Sequence, residues 1–187
     1  MSDRLDGRVV LVGVTGGIAA FKTAQLVSRL RQLDAEVHVL MTAAAASFIA
    51  PLTFRTLSGN PVITSLWDPE NPYDEPHVVL GERASLYVIA PATAQTLARL
   101  ALGLAEDAVS ATALVARAPL LVAPAMHEAM FLHPATQEHL RILRDRGVRV
   151  VGPETGWLAG GRKGLGRMSE PETILEEVLA VLRAQEG

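Results

Sequence analysis

Three short segments of this 187-residue chain place groups that bind anions or move protons at the ends of apolar runs. Gly13-Val14-Thr15-Gly16-Gly17 closes the first such run and opens a segment of helical spacing. A glycine turn there lets unpaired amides and the helix dipole face an anion at close range, so this is a candidate phosphate cradle. A tight strand-to-helix turn without a ligand would use the same residues. The spacing is not the full dinucleotide fingerprint, and Met41-Thr42 stands at the end of the second run, where a dinucleotide site wants an acid for the ribose diol. A hydroxyl suits a phosphate instead, which favours a mononucleotide.

Pro91-Ala92-Thr93-Ala94-Gln95-Thr96 follows another apolar run and offers hydroxyls, an amide side chain and helix-start N–H groups, although a plain cap at Thr93 would look the same. Pro124-Ala125-Met126-His127 ends a further run, so three strand ends are expected to converge on one crevice. His77, two residues after Glu75, has the chemistry of a base near neutral pH, while a surface or capping role is the commoner use of such a histidine. His38, His133 and His139 share no ligand spacing with one another or with a carboxylate at a strand end, so no metal site is expected.

The elements that must hold these groups read as alternating strands and helices. Residues 8–14, 36–41, 86–90, 120–123 and 148–151 are predicted strands, and helices are predicted near 43–49, 52–57, 94–102, 107–116, 134–146 and 171–182. After the first turn, Ile18, Phe21, Leu26, Val27, Leu30 and Leu33 recur at close to helical spacing. Ser169 would cap the last helix with Glu172 three residues on. The alternation implies an α/β fold: one doubly wound, Rossmann-like or flavodoxin-like parallel sheet with helices on both faces, in a single unit over 1–187 with a core at about 8–182. Residues 67–76, with three prolines, are expected as a surface loop, and the glycine-rich stretch 152–168 as a flap over the site.

Composition agrees with that frame. Apolar residues make up 49% of the chain and aromatics 4%, which suits an Ala/Val/Leu interior. A net charge of −3 without a basic block argues against nucleic acid as a partner. The apolar runs are too short to span a bilayer, and the polar start has no signal-peptide pattern, so a cytoplasmic protein is expected. The chain holds no cysteine and therefore no disulfide, thiolate ligand or catalytic thiol of its own.

Taken together these motifs resemble the FMN-dependent cysteine decarboxylase flavoproteins, and most closely the bacterial phosphopantothenoylcysteine decarboxylases. The likeness extends through Pro51-Leu52-Thr53-Phe54, Leu57-Ser58-Gly59-Asn60-Pro61-Val62, Pro134-Ala135-Thr136 and Gly164-Leu165-Gly166-Arg167-Met168. It implies FMN as cofactor, held by Gly13, Thr15, Gly16, Gly17, Thr42, Phe48, Pro91, Ala92, Thr93, Thr96 and Ser110. It implies His77 as catalytic base and His127 at the substrate carboxylate, with Met126, Met130, Gly160, Arg167 and Met168 around the substrate. The implied substrate is a small thiol-carboxylate whose thiol carbon is oxidised on the flavin before carbon dioxide leaves. A homo-oligomer, a trimer or a dodecamer built from trimers, is implied as well.

Two catalytic positions depart from the resemblance. His127 stands where relatives carry the asparagine of Pro-Ala-Met-Asn, and Gly160 where they carry the cysteine of Leu-Ala-Cys-Gly that returns electrons and a proton to the enethiol. Gln95 replaces a further asparagine. Three other readings therefore stand beside the decarboxylase: an oxidative decarboxylase stopping at the enethiol, an FMN-binding paralogue without turnover, and, lowest, a flavin prenyltransferase, whose Gly-Ala-Ser-Gly turn is not the one found here.

Overall fold

A computed structural model describes residues 4–185; residues 1–3 and 186–187 of the expected 1–187 unit lie outside it. The chain runs β1 (Val9–Val14), α1 (Ala20–Gln32), β2 (Glu36–Met41), α2 (Ala43–Ala46), α3 (Pro51–Ser58), β3 (Val62–Ile63), α4 (Pro76–Arg83) and β4 (Leu86–Ala92). It continues through α5 (Ala94–Leu102), α6 (Ala108–Val115), β5 (Leu120–Pro124), α7 (Glu128–Phe131), α8 (Pro134–Asp145), β6 (Arg149–Val150), β7 (Glu154–Trp157), β8 (Lys163–Arg167) and α9 (Pro171–Arg183).

Six strands form one sheet in the order β3-β2-β1-β4-β5-β6, every pairing parallel. This is the doubly wound order expected, and its direction reverses between β1 and β4, where such sheets open a crevice at their carboxyl ends. The two-residue period of the strands sends alternate side chains to opposite faces. Val10, Val12 and Val14 of β1 join Leu26, Val27 and Leu30 of α1 and Ile174, Val178 and Val181 of α9 in one core. Leu11 of β1 joins Tyr87 and Ile89 of β4, Leu80 of α4, Leu97 of α5 and Leu140 of α8 in the other.

Several boundaries move for identifiable reasons. The helix expected over 43–49 is a single turn, because Pro51 occupies the first turn of α3 and forces Ala50 into an extended conformation (ψ 139°). Pro171 takes the same position in α9, so the N-cap is Glu170 and not Ser169, which is buried; Glu172 accepts from Gln25 Nε2 at 2.7 Å instead. Pro76 likewise starts a helix, α4, that the spacing did not suggest, and His77 is its second residue. The glycine-rich stretch 152–168, expected as an irregular flap, contains an antiparallel hairpin of β7 and β8. Ile18 and Phe21 break the apolar period of the first helical segment: they are 57% and 61% exposed, whereas Leu26, Val27 and Leu30 are buried. Among the described residues no helix is long and apolar enough to cross a membrane.

Gly13 owes its identity to the core. A Cβ there would lie 2.9 Å from the Tyr87 hydroxyl, 3.0 Å from Val109 Cγ1 and 3.1 Å from Ile89 Cγ1. The Tyr87 hydroxyl donates to the Val109 carbonyl at 3.0 Å, and burial, followed by the Asp107 charge, pushes its pKa well above the ordinary phenol value. Gly13→Ala is expected to destabilise the fold by about 1–3 kcal/mol through this overpacking, read as a lower urea midpoint at unchanged slope.

Candidate functional site

The two strand ends at the reversal of the sheet are joined by one side chain. Thr15 is 1% exposed; its hydroxyl donates to the Pro91 carbonyl at 2.6 Å and accepts from the Thr93 N–H at 3.2 Å. The register of β4 on β5 shifts between Ile89 and Ala92, and the carbonyls inside the shift are taken from the β1–α1 side. Thr15 takes that of Pro91, and the Thr23 hydroxyl of α1 donates to that of Ala90 at 2.7 Å. The glycine turn and the Pro91–Thr96 loop are thus held as one unit.

Around this unit lies a cavity of about 1030 Å³, on the scale of a large small-molecule site. Three helix starts reach its wall. Gly16, Gly17, Ile18 and Ala19 contribute the turn before α1, Thr42, Ala43 and Ala44 the start of α2, and Thr93 to Thr96 the start of α5. First-turn N–H groups have no intrahelical acceptor, and those that no cap takes are available to an anion; Gly17 N–H already donates to the Thr15 carbonyl at 2.9 Å and Thr96 N–H to the Thr93 hydroxyl at 3.3 Å. The turn and α2 approach so closely that a Cβ on Gly16 would sit 2.5 Å from that of Ala44. The Thr42 hydroxyl accepts from Ala45 N–H at 3.2 Å, and the Thr93 and Thr96 hydroxyls lie 3.0 Å apart. Exposed Ile18, Phe21, Met130 and Trp157 add apolar surface to the wall.

The charged groups on the wall are paired. Lys22 donates to Glu170 at 2.9 Å and to the Met168 carbonyl at 3.3 Å. Arg167 lies 3.2 Å from Glu154 and 3.1 Å from Glu170, with its Nε buried and without a partner. Arg99 pairs with Asp107 and, at 2.9 Å, with Glu106. His127 is the N-cap of α7, and its Nδ1 accepts from the Ala129 N–H at 3.2 Å. A ring nitrogen that accepts carries no proton, so the neutral ring keeps its N–H on Nε2 as a free donor. Among the described residues no cluster of His, Asp and Glu fits a metal ion.

Gly16, Gly17, Thr42, Thr93, Thr96, Met126, His127, Met130, Gly160, Arg167 and Met168 are brought together on this wall. Other residues named from the sequence lie elsewhere in the chain. Gly13 packs in the core, Thr15, Pro91 and Ala92 form the brace behind the wall, and Ser110 is 2% exposed in a capping box with Asp107. Phe48, half exposed after α2, and His77, whose Nδ1 is buried without a partner, are not on the wall of this cavity. The sequence reading assigned no role to Lys22, Arg99, Asp107, Trp157 or Glu170, all on the wall.

The flavoprotein family model matches residues 1–183. The chain is 46% identical over 171 residues to the coenzyme A biosynthesis bifunctional protein CoaBC of Haemophilus influenzae, covering 91% of this chain and 43% of that protein. It is 48% identical over 165 residues to CoaBC of Mycobacterium tuberculosis, covering 88% and 39%. The chain therefore spans about two fifths of the length of the curated relatives it matches. Among solved structures, the FMN-dependent cysteine decarboxylase SpaF superposes with a TM-score of 0.82 at 30% identity, over 98% of this chain and 99% of that one. A PPC decarboxylase variant complexed with pantothenoylaminoethenethiol gives 0.84 at 30% identity, over 95% and 99%.

Thr15→Val keeps the shape of the brace but leaves the Pro91 carbonyl and the Thr93 N–H without their partner. A loss of about 1–3 kcal/mol in unfolding free energy is expected, measured by urea denaturation.

Proposed function

This chain belongs to the flavoprotein family, and from that premise we propose that it is an FMN-dependent decarboxylase of phosphopantothenoylcysteine or of a similar cysteine-derived thiol. The observation that carries the reading is the convergence of three helix starts, three threonine hydroxyls and an apolar wall on one cavity at the reversal of the sheet. The donor set fits the cofactor. The close-approach turn at Gly16 and Gly17 with the Thr42 hydroxyl suits a terminal phosphate, and the Thr93–Thr96 loop with Ile18 and Phe21 suits a planar ring. When bound, FMN supplies a two-electron acceptor for the carbon that bears the thiol.

The residues of the chain then have separable tasks. His127 presents Nε2–H to the substrate carboxylate as a neutral donor, because protonating Nδ1 would break its cap on Ala129. Arg167 and Lys22 place cations beside the same end of the cavity, each already tied to Glu170. The β7–β8 hairpin contributes Trp157 to Gly160 to the cavity wall. His77 is the proposed proton acceptor, yet it is off the cavity of its own chain. The site is therefore completed by a second copy, and a homo-oligomer is part of the proposal.

Gly160 favours a second reading. A Cβ built on it meets nothing within 4 Å, so the place of the expected cysteine is open space, and no thiol in this chain can fill it. Decarboxylation would then stop at the enethiol, or FMN would be held without turnover.

Purified protein is expected to show an oxidised-flavin absorbance with FMN as the released cofactor by mass. Phosphopantothenoylcysteine should bleach that absorbance and release carbon dioxide; flavin that is present but unchanged by substrate would leave only the binding reading. Product mass separates loss of carbon dioxide alone from loss of carbon dioxide with two hydrogens. Because Gly160 has room for a side chain, Gly160→Cys is expected to fold normally and to move the product from enethiol towards the saturated thiol, scored by the same mass measurement.

A further inference from the structure

The hairpin whose residues Trp157 to Gly160 line the cavity is fastened to the rest of the domain at few points. Near its root, Met126 N–H donates to the Gly166 carbonyl at 3.0 Å. Gly166 has φ +142°, and a Cβ there would overlap the Met126 carbonyl, so β8 and the loop before α7 run in direct backbone contact. At the tip the hairpin bonds only to itself: Leu158 N–H donates to the Arg162 carbonyl at 2.8 Å and Gly161 N–H to the Leu158 carbonyl at 3.0 Å. Between root and tip, among the described residues, one hydrogen bond joins the hairpin to the body. Leu165 N–H donates to Glu128 Oε1 at 2.9 Å.

Glu128 is well placed for that contact. It is half-buried, it is the first residue of α7 and the one ionisable side chain in that turn, and it follows His127 directly. β8 is packed against its carboxyl group closely enough that a Cβ on buried Gly164 would lie 3.4 Å from it and 3.1 Å from Leu158 Cδ1. A carboxylate accepting from a backbone N–H makes a stronger bond than a neutral acceptor. We infer that Glu128 is a positioning residue: through Leu165 it latches the hairpin over the substrate end of the cavity and so governs substrate affinity without touching the substrate. The identity of that substrate rests on the function proposed above, but the latch itself does not.

Three variants of the full chain test this: Glu128→Ala, Glu128→Asp, whose shorter side chain does not reach Leu165, and Glu128→Gln, whose carbonyl still accepts. In the first two, the Leu165 amide should exchange its hydrogen about tenfold faster and trypsin should cut after Arg162 and Lys163 about tenfold faster, the loss expected for one charge-assisted bond. The flavin-to-protein ratio should stay at the wild-type value. With phosphopantothenoylcysteine as substrate, KM should rise severalfold with little change in kcat. Glu128→Gln should restore most of the protection and of the KM. Wild-type exchange and cleavage rates in Glu128→Ala or Glu128→Asp would overturn the latch, as would Glu128→Gln behaving like Glu128→Ala. If the wild-type protein carries no flavin or releases no carbon dioxide, the proposed function fails, while the exchange and cleavage measurements still decide the latch.

Discussion

The hydroxyl of Thr15 is shared between the Pro91 carbonyl and the Thr93 N–H, and that sharing fixes the glycine turn against the Pro91–Thr96 loop on the cavity wall. Where the order of a doubly wound sheet reverses, neighbouring strands lead their chains to opposite faces, and the crevice between them has no backbone ladder of its own. Something must fix the distance between the turn after β1 and the loop after β4. In this chain the shift of register in β4 exposes two carbonyls at that place, and two threonines from the β1–α1 side satisfy them. A buried carbonyl left unpaired costs free energy, so satisfying it and aligning the two helix starts are one event. The brace sets the starts of α1 and α5 side by side on one wall of the cavity.

This division between wall and brace explains which parts of the site were legible in the residues. Glycine turns and threonines at strand ends mark the place, and strand period and helix spacing point to the doubly wound parallel class and to a crevice at the strand ends. What the residue types do not disclose is the direction of each side chain. Thr15 looks like a phosphate ligand and is a brace; Gly13 looks like part of a cradle and makes room for Tyr87; Ser110 is consumed by the cap on α6. In each case the partner lies on a different element, brought there by tertiary packing. Ile18 and Phe21 erred in the opposite sense: their spacing suggests the core, but Ile18 precedes the helix and Phe21 lies in its first turn on the side of the cavity, while Ala20 between them is buried.

Glycine content misled in the same way in the 152–168 stretch. Many glycines suggest chain freedom, but Gly156, Gly164 and Gly166 sit where a side chain would meet Arg167, Leu158 or the Met126 backbone. They permit close approach, and the result is a paired hairpin with defined register. Freedom is confined to the tip, where Gly160 and Gly161 face open space. The distinction between glycines for closeness and glycines for freedom depends on what lies across the gap, which no local pattern encodes.

The electrostatics of the wall follow from the same economy of partners. Lys22, Arg167 and Arg99 would give a strongly cationic site if free, but Glu170, Glu154, Glu106 and Asp107 balance them. Attraction of an anion therefore rests on short-range donors: first-turn amides, threonine hydroxyls and the Nε2–H of His127. Such donors are directional and weakly screened by salt, whereas unpaired surface cations act over a Debye length and select little beyond sign. A site built this way discriminates by where an anion places its oxygens. The proposed function requires that discrimination, with a phosphate at one end of the pocket and a carboxylate at the other, since a diffuse positive field would bind the two groups in either orientation.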